Sequence, residues 1–61
     1  MKFVIRRARR GLLKRSQWTF RIVADNGETI AAGETYNNRL DCKRAVALIM
    51  REAATAEVED L

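Results

Sequence analysis

Sixty-one residues give room for a single domain, and a domain of that size buries only about 60% of the surface its unfolded chain exposes. One cysteine excludes an internal disulfide, and the lack of any histidine comes close to excluding a zinc site. The net charge is +4, and no apolar run approaches the ~20 residues that a membrane-crossing helix needs.

Phe3, Val4 and Ile5 form a short apolar run with β-branched members, which predicts a first strand with Phe3 and Ile5 on one face. From Ala8 to Ser16 the pattern dissolves into Arg, Gly11, Leu12, Leu13 and Lys. Gly11 is the natural turning point, which predicts a hairpin with a basic tip. The next segment, Trp18 to Ala24, alternates cleanly. Trp18, Phe20, Ile22 and Ala24 are assigned to the core face, and Thr19, Arg21, Val23 and Asp25 to a mostly solvated one. Asp25-Asn26-Gly27 then signals a tight type I′ hairpin, since Asn and Gly tolerate positive φ. Glu28 to Gly33 continues as a third strand, with Ile30 and Ala32 expected to face the core. The small run Ala31-Ala32-Gly33 implies close approach of another element.

After Tyr36 the period changes. Asn38 is placed as an N-cap with Asp41 three residues on, a variant of the capping box. Cys42, Ala45, Val46, Ile49 and Ala53 follow helical spacing, and Leu48 and Met50 widen the stripe. The helix is expected over 39–54, fraying near Thr55 because Glu57, Glu59 and Asp60 oppose the dipole at its C-terminal end. The fold class is therefore α+β, a three-stranded antiparallel meander followed by one helix on one face (β-β-β-α), in a single domain over 1–61 with a frayed acidic tail at 55–61.

The segment Trp18 to Ile30, with its aromatic strand and Asn26-Gly27-Glu28 turn, resembles the central hairpin of the YegP-like family. Tyr36-Asn37-Asn38-Arg39 is similar to the Tyr-Ser-Ser-Lys segment that opens that family's helix. Asp41 to Ile49 resembles the small-residue helix itself, so the likeness spans most of residues 2–53. The resemblance implies a three-stranded sheet with one helix, and a homodimer for members with a single copy of the unit. Two features depart from the pattern: the first hairpin, around Arg6 to Arg15, is longer and more basic, and Ala45 or Ala47 stands where the family carries a glycine. The chain is also similar to the arm-type DNA-binding domains of phage integrases, which place three strands before a helix and insert the sheet into a DNA groove. Trp18, Phe20, Arg21 and the basic hairpin suit that likeness, whereas Asp25, Glu28 and Glu34 suit it less well.

Charge supplies the functional clue. Residues 1–21 carry eight basic groups (Lys2, Arg6, Arg7, Arg9, Arg10, Lys14, Arg15, Arg21) and no acid, while the other forty are net acidic. Such a split points to nucleic acid or another anionic surface, or to a match between the basic head and the acidic tail of Glu57, Glu59 and Asp60, within one chain or between two. Arg6, Arg7, Arg9, Arg10, Lys14 and Arg15 are the candidate nucleic-acid-binding residues. Six cations on a two-stranded ribbon can neutralise several phosphates, and such a ribbon fits the major groove. Catalysis is not expected: Ser16 and Cys42 have no histidine to serve as base, and no cofactor fingerprint is present. Cys42 is expected as a core residue, Tyr36 as packing at the helix entry, and Trp18 and Phe20 as core rather than a stacking platform. The lone cysteine and the absence of a secretory pattern point to a reducing, cytoplasmic location without membrane association. The reading favoured is a homodimeric binding or structural module with no catalysis and no cofactor. The alternative is a small nucleic-acid-binding domain using the 6–15 hairpin.

Overall fold

The computed structural model describes residues 1–9 and 16–61. Strand β1 (Lys2–Arg9) pairs antiparallel with β2 (Ser16–Val23), which pairs antiparallel with β3 (Thr29–Ala32), in the sheet order β1-β2-β3. Helix α1 (Arg39–Glu52) follows, and a 3-10 turn, Ala53–Thr55, ends it. This is the β-β-β-α order expected. The first strand extends past the apolar run of Phe3 to Ile5, through Arg6, Arg7 and Arg9. Those arginines lie in a paired ladder with Thr19, Trp18 and Ser16 opposite them. Pairing with the strongly alternating β2 extends β1 beyond its own apolar run, a tertiary effect that overrides local pattern. The expected turn at Gly11, with Leu12 and Leu13, lies outside the described residues.

Cross-strand partners share a face of a sheet. Phe3 opposite Ile22, Ile5 opposite Phe20, and Arg7 opposite Trp18 therefore make one face, and the helix covers it. Phe20, Cys42 and Val46 are the buried centre, with Phe3, Ile5, Trp18, Ile22, Tyr36, Ala45 and Ile49 packed around them. The Phe3 and Phe20 rings meet in a tilted arrangement, centroids 6.3 Å apart. Burying each large apolar side chain here contributes about 1.5–3 kcal/mol.

The second hairpin departs from the expected type I′ turn. Gly27 N–H donates to the Ala24 carbonyl at 2.9 Å, and Ala24 N–H to the Glu28 carbonyl at 2.8 Å, leaving a three-residue loop of Asp25, Asn26 and Gly27. Gly27 has φ +88, the left-handed residue that such a loop requires. Asn26 Oδ1 accepts from Glu28 N–H at 3.0 Å and holds the loop shut. The register then shifts between Ile22 and Val23: Val23 pairs with Thr29 but Ile22 with Ala31, so Ile30 is the extra residue of a bulge. Ala32 lies opposite Arg21 and shares its face. Ile30 and Ala32 are thus both exposed instead of facing the core. Val23, assigned by alternation to the solvated side, is buried between Lys2 and Thr29 on its two flanking strands.

The close approach implied by the small run is real and specific. The Phe20 ring lies against Gly33, where an added Cβ would fall 2.2–2.7 Å from three ring carbons. Gly33 N–H donates to the Phe20 carbonyl at 3.0 Å, and the Thr19 hydroxyl donates to the Gly33 carbonyl at 3.1 Å. Tyr36 then bridges to Trp18 through two backbone hydrogen bonds, 2.7 and 2.8 Å, which brings the chain to the helix start. Asn38 is the N-cap: its Oδ1 accepts from Asp41 N–H at 2.8 Å, and its amide donates to the Asp41 carboxylate at 3.0 Å. Cys42 and Val46 form the buried side of the helix. Leu48 and Met50 do not widen the buried stripe; they flank it in solvent, because the sheet is too narrow to cover more than its centre. Residues 56–61 are exposed.

Candidate functional site

The pleat distributes the basic residues between two faces. Arg7 belongs to the helix side, where its guanidinium lies 5.2 Å from the centre of the Trp18 ring. Arg39, from the first turn of the helix, lies 5.9 Å from the same ring. Trp18 is half-buried against the core and presents its π system to both cations. Arg6 belongs to the opposite face, opposite Thr19, and Arg21 shares that face one pleat along. The sequence pattern treats Arg6 and Arg7 as one cluster; strand alternation separates them. Arg9 is the last residue of β1. Arg10, Lys14 and Arg15 lie outside the described residues.

On the face away from the helix is an open depression of about 680 Å³ lined by residues of all three strands and the segment after β3. Thr19 and Arg21 of β2 and Arg6 of β1 line it, with Ala32, Glu34 and Thr35 on the other side. Ala8 and Ala32 are small, which leaves the room between the longer side chains. The Nε of Arg21 is buried and has no hydrogen-bond partner among the described residues. A buried donor left unpaired costs about 1–3 kcal/mol, more on a charged group. Arg21 is not among the six candidate nucleic-acid-binding residues, although the likeness to the arm-type domains draws on it. Its position on the strand face opposite Phe20 and Ile22 was the available signal.

Among the described residues Arg6, Arg7 and Arg21 make no ion pair, and none links the tail carboxylates to the basic strands. The ion pairs of the helix are local, Arg44 with Asp41 and Arg51 with Glu52. Cys42 is fully buried in the core, and burial pushes its thiol up from the ordinary value. It is a packed thiol rather than an activated one. Tyr36 packs against the same cluster at the helix entry, as expected. Among the described residues no helix is long and apolar enough to cross a membrane.

Comparison with known proteins supplies the family. The family described as "Domain of unknown function (DUF1508)" matches residues 14–60, which contain β2, β3 and the helix. A UPF0339 protein of Treponema denticola is 33% identical over 48 residues, covering 79% of this chain and 83% of that protein. The aromatic hairpin, the Tyr36 bridge and the capped helix all fall within the matched span, and on these grounds the chain belongs to the DUF1508, or YegP-like, family.

Proposed function

We propose that the chain works as a homodimeric binding or structural module without catalysis, pairing through the third strand. The observation that carries this reading is the thinness of the core. Phe20, Val23, Cys42 and Val46 are the buried hydrophobic residues among those described, while Ile30, Leu40, Leu48 and Met50 remain largely in solvent. Short domains make up such a deficit with disulfides, a metal or a partner subunit, and a single cysteine without histidine favours the partner. Strand β3 is the natural junction: it lies at the sheet edge, all four of its residues are exposed, and Ile30 is 61% accessible beside two alanines. An unpaired edge offers backbone donors and acceptors to a second strand. Sedimentation equilibrium should give twice the chain mass, with Ile30→Lys reducing it to the monomer; a monomer for the unaltered chain would remove the proposal.

A second reading, nucleic-acid contact, is favoured by one observation. Arg6 and Arg7 are exposed and free of carboxylate partners among the described residues, at the end of β1 that leads into residues 10–15. Unpaired arginines can neutralise phosphates in a salt-dependent, largely sequence-independent manner. Fluorescence anisotropy with labelled duplex DNA and RNA should show binding that weakens with salt and is lost when Arg6, Arg7, Arg9 and Arg10 become alanine. Binding unaffected by that variant would reject the basic hairpin as the contact.

A further inference from the structure

We propose that the depression on the open face of the sheet binds an oxyanion of the phosphate class, with Arg6 and Arg21 as its recognition pair. Both arginines line it, from adjacent strands and on the same face, with Arg6 opposite Thr19 and Arg21 the next residue along that face. Diagonal neighbours on a sheet stand roughly 7–8 Å apart at their backbones, close enough for two long side chains to converge on one group. A guanidinium is planar and donates two parallel hydrogen bonds, which matches the spacing of phosphate oxygens. The Nε of Arg21 is covered from solvent, so the ligand would be met by the part of the Arg21 guanidinium that lines the depression, together with Arg6.

The surroundings define the rest of the ligand. Thr19 has already spent its proton on the Gly33 carbonyl, so its oxygen presents only acceptor capacity. Thr35 lines the same depression and can donate. Glu34, also on the lining, repels an anion and accepts from a hydroxyl or amine. The phosphate therefore belongs at the Arg6–Arg21 side and a hydrogen-bond donor of the ligand at the Glu34 side. At about 680 Å³ the space is of the size that holds small phosphorylated molecules. The same recognition pair would take a backbone phosphate of nucleic acid. The two proposals rest on different observations, the thin core and the arginine pair, and each has its own test.

The test is NMR of the intact chain, following the arginine Nε–H signals while pyrophosphate is added, with sodium chloride at matched ionic strength as the control. The Arg21 signal should move along a saturating curve with pyrophosphate and not with chloride. Arg6→Gln should weaken the affinity about tenfold, the loss expected for one charge-assisted contact. Because Arg6 is exposed, that variant keeps the fold. Arg21→Gln should do the same, its backbone amide spectrum reporting whether it folds; if it does not fold, Arg6→Gln decides. A shift that follows ionic strength alike in both salts, or saturable binding untouched by these variants, would overturn the site. Competition by a short DNA duplex assigns the phosphate to a nucleic-acid backbone, and failure to compete assigns it to a free phosphoryl compound; either result upholds the oxyanion site. Sedimentation of the same samples reports the pairing of copies independently.

Discussion

Gly33 shows how much one missing methyl group can determine. Its α-carbon takes the weight of the Phe20 ring, and its backbone ties to both Phe20 and Thr19. Phe20 is 5% exposed and flanked by Phe3, so its ring has nowhere to retreat without disturbing the centre of the core. Gly33→Ala should therefore destabilise the fold by about 1–3 kcal/mol, the range for forcing extra volume into a packed site. Chemical denaturation of the two proteins would measure it, and an unchanged midpoint would show that the ring yields freely. The sequence announced that small residues here meet something close; it did not announce what. Composition reports the space that a residue vacates, whereas the identity of the neighbour depends on register. Cys42 was legible in full, because its place on the helical stripe already fixed it as a small core hydrophobe.

At the scale of elements, the type and order of every strand and helix were readable, and the errors concentrate where parity is decided. The aromatic face of β2 followed from strict alternation, and the Asn38 cap from its side-chain chemistry. The third strand was placed correctly but turned over. Counting from a two-residue Asn-Gly turn already sets Ile22 opposite Ala31 and Arg21 opposite Ala32, the register observed, so Ala32 falls on the Arg21 face. The three-residue loop and the bulge at Ile30 offset one another. The same rule divides the basic cluster. Arg6 and Arg7 are neighbours in sequence and both border the open depression, but the guanidinium of Arg7 lies over a tryptophan ring shared with Arg39. A charge run in a strand is thus two half-runs, and the face of Arg6 gains a member, Arg21, that lies far from it in sequence. Cation–π contact also gives Arg7 a structural role worth about 0.5–1 kcal/mol, which a phosphate-binding account of the hairpin must set against its charge.

For the whole molecule, the thin core connects the fold to the proposed pairing. One helix covers one face of a three-stranded sheet, and the described residues bury four hydrophobic side chains below a tenth exposure. If a second copy supplies part of the missing burial, folding and association are one equilibrium, and stability must rise with protein concentration. A tenfold increase should then raise the thermal midpoint on the order of 5 °C, given the small unfolding entropy of a chain this short. Ile30→Lys places a charge on the exposed edge strand, the device by which sheets discourage edge pairing. In that variant the midpoint should fall and lose its dependence on concentration. Differential scanning calorimetry across a concentration series separates the cases. An unaltered chain whose midpoint does not move would be a monomer that folds on its small core alone, and the exposed Ile30 would then need a different partner.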